Sequence, residues 1–250
     1  MRLKTDRAEV IWGDCLDVLP TLPDNAADLV LTSPPYNMNL RINSGRYCSR
    51  QITKEFSTKY DGFPDNLPIE DYFEFNRRVI VELLRVAPCV FYNMQIVTGN
   101  KPAVLRILGH FADQIKELIV WDKMTGQPAM KFRVLNSQYE LIIVFQRENA
   151  MGRQLEAATF ERGTMSNIWQ IRRGAKVHKD HGATFPLELA ERVICNFSKE
   201  GDTVLDPFFG TGQTGVAALA NNRKVIGVEL LAKYFGISCA RIVDNLENKL

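Results

Sequence analysis

The chain has 250 residues, of which 46% are hydrophobic and 24% are charged, and its formal net charge is +2. This balance excludes a disordered chain and predicts one folded domain over residues 1–250. So small a charge does not by itself indicate a polyanionic partner. No apolar run approaches membrane-spanning length, and the five cysteines have no paired spacing. We therefore expect a cytoplasmic protein without membrane contact, disulfides or a metal site.

Short apolar runs alternate along the chain with longer amphipathic stretches. The runs predict strands at 10–12, 28–31, 90–92, 115–121, 139–145, 203–206 and 224–228. The amphipathic stretches predict a helical turn after Gly13 and helices at 70–85, 101–108, 186–197, 212–220 and 230–246. Because strands and helices alternate and the strands are almost wholly apolar, we expect an α/β fold with a mainly parallel, doubly wound sheet.

Three stretches interrupt this pattern. The interval 122–136, which contains Gly126 and Pro128, is predicted as a loop. The segment 146–182 is irregular and basic, and we expect it to stay outside the sheet. A second basic loop is predicted at about 39–67, where Glu55 is the only acid between positions 39 and 59. Such one-sided charge is suited to holding phosphates.

The motif Ser33-Pro34-Pro35-Tyr36 directly follows the predicted strand 28–31 and Thr32. Prolines have a fixed φ and no N–H, so they keep the backbone extended and leave its carbonyl oxygens as unpaired acceptors. Acceptors beside an aromatic ring suit a planar ligand that carries an amino group, such as a nucleobase. A strand that simply ends in a proline turn is the alternative interpretation.

A glycine-rich turn joins the strand 203–206 to the next helix, and Glu229 ends the strand that follows. Its spacing Gly210-x-Gly212-x-x-Gly215 lets a ligand approach the backbone at a helix N-terminus, and the acid is placed for ribose hydroxyls. A dinucleotide or S-adenosylmethionine fits this pattern. The second lacks phosphates and uses an acid near the turn for its amino group, which Asp206 supplies. A purely structural turn remains the other alternative, just as Asp14 could simply cap a helix.

Taken together, these motifs resemble the DNA amino-methyltransferases in the permuted order of the β group, where the catalytic motif precedes the cofactor motif. Further similarity lies in Gly13-Asp14-Cys15, in Asn167-Ile168-Trp169 and in the stretch from His181 to Pro186. The resemblance implies a Rossmann-like fold that binds S-adenosyl-L-methionine. It implies cofactor contacts from Asp14, Cys15, Ser33, Asp206, Pro207, Phe208, Gly210, Thr211, Gly212, Thr214 and Glu229, and catalysis by Ser33, Pro34, Pro35 and Tyr36.

The target base is predicted from small differences within that family. Cytosine-N4 enzymes usually carry Ser at the position of Ser33, whereas most adenine enzymes of the group carry Asp there. Asn37, in contrast, is usual among adenine enzymes. We expect methylation of cytosine N4, with adenine N6 as the alternative. An NAD-dependent oxidoreductase, a non-catalytic nucleic-acid-binding module, and a protein or RNA methyltransferase are the rival functions.

The same resemblance implies double-stranded DNA as substrate, a restriction-modification context with a cognate endonuclease, and a homodimer. The candidate DNA contacts are Asn37, Arg41, Arg46, Arg50, Arg172, Arg173 and Lys176. Two other motifs are interpreted as having no catalytic or metal-binding role. Pro88-Cys89 leads straight into a predicted strand, so Cys89 is expected in the core rather than as a nucleophile. His178-x-x-His181 lacks a third ligand and is not expected to bind a metal.

Overall fold

The computed structural model describes residues 1–38, 41–43, 46–48, 55–56, 65–127, 132–148, 150–155, 157–174 and 184–247. The strands are β1 (Arg2–Lys4), β2 (Ala8–Trp12), β3 (Leu29–Thr32), β4 (Arg41–Asn43), β5 (Arg46–Cys48), β6 (Glu55–Phe56), β7 (Cys89–Met94), β8 (Ile115–Gln127), β9 (Ser137–Gln146), β10 (Ile168–Gln170), β11 (Thr203–Asp206) and β12 (Lys224–Glu229). The helices are α1 (Cys15–Val18), α2 (Ile69–Val86), α3 (Lys101–His110), α4 (Leu187–Phe197), α5 (Gln213–Ala220) and α6 (Ala232–Glu247).

Nine strands form one sheet in the order β1-β2-β12-β11-β3-β7-β9-β8-β10. The run from β2 to β7 is parallel, β10 is parallel to β8, and antiparallel pairs occur at β1, β7–β9 and β8–β9. The predicted mainly parallel α/β fold is therefore confirmed. Within the described ranges, no helix has the length and apolar character needed to cross a membrane.

Successive side chains of a strand alternate between the two faces of the sheet, so a strand that is apolar throughout makes both faces apolar. Helices cover both of these faces. In β3, Leu29 and Leu31 belong to the core shared with α4, α5 and α6, whereas Val30 belongs to the core shared with α1, α2 and α3. The apolar stripe of α2, which includes Tyr72 and Ile80, lies against the second face. Both faces of the central strands are therefore buried.

The order of strands creates a crevice between β3 and β11. The chain leaves β3 towards β7 through α2 on one face, and leaves β11 towards β12 through α5 on the other face. Where neighbouring parallel strands send their connections to opposite faces, a gap opens at their carboxyl ends. That is the place to look for a ligand.

Three of our local predictions were wrong. The strand β8 continues to Gln127 through part of the predicted loop 122–136, because it pairs with β9 as far as Ser137. The strand β10 lies inside the segment expected to stay out of the sheet, since Trp169 pairs in parallel with Trp121 of β8. The basic stretch after Asn39 contains the three-stranded sheet β5-β4-β6. The first two errors came from pairing with another strand, and the third came from a local hairpin in which Asn43 of β4 pairs with Arg46 of β5.

Candidate active site

A cavity opens at the carboxyl ends of β3 and β11. Its walls come from the segment after β2, the Pro-Pro motif, α2, the glycine-rich turn and the start of α6. The lining residues are Gly13, Asp14, Cys15, Ser33, Pro35, Phe75, Pro207, Phe208, Gly210, Glu229, Leu230, Leu231 and Tyr234. Ser33 and Gly210, which are far apart in sequence, thus share one cavity.

One side-chain hydrogen bond ties the two halves of the site together. The Thr32 hydroxyl at the end of β3 donates to Oδ1 of Asp206 at the end of β11, over 2.6 Å. Both side chains are buried. Because Thr32 precedes Ser33 directly, this bond fixes the distance between the Pro-Pro motif and the glycine-rich turn.

The charge of the lining distinguishes between the two ligands that the sequence allowed. Within the described part of the chain, the lining contains two carboxylates, Asp14 and Glu229, and no Lys, Arg or His. A pyrophosphate would be repelled by these carboxylates, whereas a cation would be attracted. The electrostatics therefore favour a cationic nucleoside over a dinucleotide.

Glu229 is held at the end of β12 by two backbone donors. Gly210 N–H donates to Oε2 over 2.7 Å, and Leu231 N–H donates to Oε1 over 2.8 Å. Burial disfavours the ionised form and raises the pKa of Glu229 to about 7, against the opposing effect of these hydrogen bonds. The carboxylate consequently lies in the cavity wall with a protonation equilibrium near neutral pH.

Asp206 has a different position from the one expected. It is not among the lining residues, and its two oxygens accept hydrogen bonds from the hydroxyls of Thr32 and Thr214 and from Phe208 N–H. Burial raises its pKa to about 6. In this arrangement Asp206 organises the turn rather than facing the cavity, and Thr214 acts with it. Sequence reasoning identified the residue but not the direction of its side chain.

The glycines of the turn serve close packing as much as access. Gly210 and Gly212 have φ of 52° and 80°, a conformation that L side chains adopt only with strain. A Cβ at Gly227 would lie 2.5 Å from Cγ of Phe209, and one at Gly215 would lie 2.6 Å from its Cζ. The ring of Phe209 is 2% exposed and fills the space that these glycines leave. Gly212 and Thr211 do not line the cavity.

Asp14 and Cys15, which follow β2, also line the cavity. The Asp14 carboxylate accepts from Leu16 N–H over 2.8 Å, so it caps α1 and lines the cavity as well. Burial, reinforced by the neighbouring Asp14 charge, raises the pKa of the Cys15 thiol well above its ordinary value. Cys15 is therefore a neutral, apolar part of the wall. The capping interpretation of Asp14 is therefore confirmed, and its contact with a cofactor stays a prediction.

Behind Ser33 lies a buried polar cluster that sequence reasoning did not identify. The Tyr36 hydroxyl is 2.7 Å from Ser33 Oγ, donates to Glu140 Oε2 over 2.8 Å, and accepts from Asn93 Nδ2 over 2.7 Å. Lys123 Nζ lies 3.2 Å from Glu140 Oε1. All but Ser33 are buried. The sequence did contain one sign of this cluster, because Glu140 is an acidic residue within the apolar run of β9.

The other predicted residues fall into three groups. Tyr36 and Pro34 adjoin the site but do not line the cavity. Arg172 and Arg173 are exposed, whereas the side chains of Arg41, Arg46, Arg50 and Lys176 lie outside the described residues, as do His178 and His181. Cys89 is buried in the core, and burial raises its pKa to about 12. The apolar residues that sequence reasoning missed in the lining are Phe75, Leu230, Leu231 and Tyr234.

Asn37 has a structural task. Its φ is 53°, a left-handed conformation that Asn tolerates better than most residues. Its amide accepts from Leu67 N–H over 2.7 Å and donates to Leu67 O over 2.9 Å. The side chain is 3% exposed. The backbone turn after Tyr36 therefore accounts for the choice of Asn at this position.

Sequence comparisons place DNA methyltransferases among the relatives of this chain. The type II methyltransferase M.HinfI of Haemophilus influenzae is 25% identical over 93% of this chain and 67% of its own length. The DNA adenine methyltransferase YhdJ of Escherichia coli is 28% identical over 96% of this chain and 84% of its own length. Relatives of this kind are matched over almost the whole sequence.

Solved structures share the fold. The cytosine-N4-specific PvuII DNA methyltransferase has a TM-score of 0.70 at 19% identity, covering 98% of this chain and 93% of that one. The Thermus thermophilus protein TTHA0409, solved with S-adenosyl-L-methionine, has a TM-score of 0.64 at 24% identity and covers 94% and 93%. The model of the DNA methylase family of N6 and N4 methyltransferases matches residues 27–239. The chain therefore belongs to this DNA methylase family.

Proposed function

We propose that the protein transfers a methyl group from S-adenosyl-L-methionine to the exocyclic N4 amine of cytosine, within a specific sequence of double-stranded DNA. The observation that carries the proposal is the shared cavity, where Ser33 and Gly210 meet beside two carboxylates and no basic side chain of the described chain. Membership of the DNA methylase family supplies the class of reaction.

The described residues fit this cofactor. Asp14 and Glu229 supply negative charge for a cationic ligand and acceptors for hydroxyls, and Phe208 supplies an apolar wall. The methyl donor when bound contributes an electrophilic methyl group on a positively charged sulfur. Asp206 would act through the turn, since its own oxygens already hold Thr32, Thr214 and Phe208.

The chemical task of the Pro-Pro motif follows from the weakness of the nucleophile. The lone pair of an exocyclic amine is delocalised into the ring. Acceptors at Ser33 Oγ and the Pro34 carbonyl would hold its two N–H groups, bias the nitrogen towards sp³ and aim the lone pair for in-line transfer. No covalent enzyme intermediate is required.

A base inside a duplex does not reach such a cavity, so the target nucleotide would be flipped out of the helix. Unstacking it costs a few kcal/mol, which binding has to offset. We infer that the flipped base stacks on Tyr36, whose hydroxyl is anchored to Glu140 and Asn93. A ring held in this way is oriented before the base arrives.

Cytosine is preferred over adenine because Ser33 stands where most adenine enzymes of the β group carry Asp. The second candidate, adenine N6, is supported by the relative YhdJ, which is a DNA adenine methyltransferase. Asn37, the residue that favoured adenine, has a structural role in the turn and therefore carries little weight.

DNA would contact the basic segments around the site. Arg172 and Arg173 are exposed and available for phosphates. We further propose a single catalytic domain over 1–250 that works in the cytoplasm, with a homodimer and a cognate endonuclease as the wider context. Sedimentation of the free protein tests the dimer.

The deciding experiment uses purified protein, duplex DNA of mixed sequence and methyl-labelled S-adenosylmethionine. We expect label in DNA, recovered as 4-methylcytosine at one sequence context when the DNA is sequenced by a method that separates it from 6-methyladenine. Recovery of 6-methyladenine would assign the second candidate. Label in protein or RNA alone, or none in any acceptor, would refute the proposal.

A further inference from the structure

The buried polar cluster behind Ser33 forms a continuous chain of hydrogen bonds. It runs from Lys123 to Glu140, from Glu140 to the Tyr36 hydroxyl and from there to Ser33 Oγ, with heavy-atom distances of 3.2, 2.8 and 2.7 Å. Asn93 Nδ2 donates to both the Tyr36 hydroxyl and Glu140 Oε2, and it also lies 3.4 Å from Ser33 Oγ, which accepts from it. Ser33 also lines the cavity. The cluster therefore connects a buried ion pair to the surface that meets the substrate.

The direction of each hydrogen bond follows from counting protons. Lys123 is fully buried beside Glu140, and in an ammonium–carboxylate pair the carboxylate of Glu140 can only accept. Its contact with Tyr36 then uses the single phenolic proton. The 2.7 Å contact between Tyr36 and Ser33 must in turn use the serine proton. Ser33 Oγ is left with lone pairs for its remaining neighbours.

The amide of Asn93 supports this direction. Its Nδ2 faces Glu140 and Tyr36, although this leaves its Oδ1 buried with no hydrogen-bond partner within the described chain. The reversed amide would place an oxygen against the carboxylate. The acceptor demand of Glu140 thus determines the orientation of its neighbours.

We propose that Glu140, paired with Lys123, is a positioning residue that makes Ser33 an obligatory hydrogen-bond acceptor towards the substrate amine. A serine hydroxyl by itself can donate or accept, whereas an amine that is about to be methylated presents N–H donors. The proton chain removes this ambiguity. The inference rests on the proposed amine methylation and identifies residues that the Pro-Pro motif does not contain.

The substitution Glu140→Gln tests the direction of the chain. It is made in an Asn93→Leu background, because without the carboxylate the Asn93 amide would rotate and present its oxygen to Tyr36. Lys123 can only donate, so it holds the new amide by its oxygen and leaves the amide nitrogen facing Tyr36. The Tyr36 hydroxyl then accepts, its proton turns to Ser33, and the serine O–H turns to the cavity. Relative to the Asn93→Leu parent we expect kcat to fall by about a hundredfold, the scale for one misdirected preorganised dipole, while the Kd of S-adenosylmethionine stays within about threefold.

A matched pair of variants in the same Asn93→Leu background separates this effect from folding. Both also carry Lys123→Met, which removes the buried charge that fixes the amide. With Glu140→Gln the amide can rotate and present its oxygen to Tyr36, so kcat should return to within about fivefold of the Asn93→Leu parent. With Glu140→Met neither Glu140 nor Asn93 offers an acceptor to Tyr36, and the loss of about a hundredfold should persist.

The outcomes are distinguishable. If the wild type does not methylate DNA, the proposed function fails before this inference is reached. If the wild type and the Asn93→Leu parent are active and the two matched variants, both shown to be folded by thermal melting, have equal kcat, the inference is overturned. An unchanged kcat in the folded N93L/E140Q variant, compared with its parent, would overturn it as well, and recovery in N93L/K123M/E140Q alone would support it.

Discussion

The packing of Phe209 beneath the glycine-rich turn gives a prediction whose size can be worked out from the structure. In Gly227→Ala the added methyl would lie 2.5 Å from Cγ and Cδ1 of Phe209 and 2.6 Å from Cδ2. The ring has no room to move away, because Gly215 and Ile242 pack at its other end and it is 2% exposed. Gly227 itself has an ordinary β-strand backbone, so the substitution isolates this steric contact.

Overpacked cores lose about 1–3 kcal/mol, and three rigid ring atoms inside contact distance place Gly227→Ala at about 3 kcal/mol. For a chain of this size that corresponds to a fall in Tm of about 6–12 °C. Differential scanning calorimetry and urea titration measure both quantities. Since Phe209 lies between two residues of the cavity lining, Phe208 and Gly210, we also expect weaker binding of S-adenosylmethionine.

Two controls accompany the measurement. Gly236 in α6 is exposed, and a Cβ there meets nothing within 4 Å, so Gly236→Ala should be neutral or stabilise by up to about 1 kcal/mol. In a Phe209→Ala background the steric cost of Gly227→Ala should vanish, giving a strong coupling energy. A Tm for Gly227→Ala within 2 °C of the wild type would refute the argument, which equates this 2.5 Å approach with a real clash.

Three further predictions concern ligand binding and chemistry. Burial raises the pKa of Glu229 to about 7, so its carboxylate is mostly ionised at pH 8 and mostly protonated at pH 6. The Kd of S-adenosylmethionine should therefore rise about tenfold as the pH falls from 8 to 6. A Kd that calorimetry finds unchanged over this range would contradict the prediction. Ser33→Ala should lower the single-turnover methylation rate about a hundredfold with cofactor affinity within threefold, and an undiminished rate would remove Ser33 from the mechanism. Replacing Arg172 and Arg173 by Ala should raise the KM for DNA and reduce the slope of log K against log salt by about 2; an unchanged KM and slope would exclude both side chains from the DNA contact.

Much of the fold was readable from the sequence because its signals are local. Period-2 and period-3.6 patterns, proline punctuation and the position of glycines depend on neighbours a few residues away. They gave the strands β2, β3, β7, β11 and β12 and the helices between them to within a few residues. What they missed was pairing between strands, both local and long-range. Ile168–Gln170 becomes a strand only because Trp121 of β8 offers it an edge.

The same distinction between local patterns and long-range contacts applies to the candidate site. The sequence by itself determined which chemical groups are present, since Ser33, Glu229 and the glycine-rich turn follow strands whose ends could be predicted. The tertiary structure alone decided which of them face the cavity. It directs the Asp206 side chain into the glycine-rich turn, and it brings Lys123 and Glu140 together through the pairing of β8 with β9. Strand order and register set these directions, and both depend on contacts between segments that no local pattern encodes.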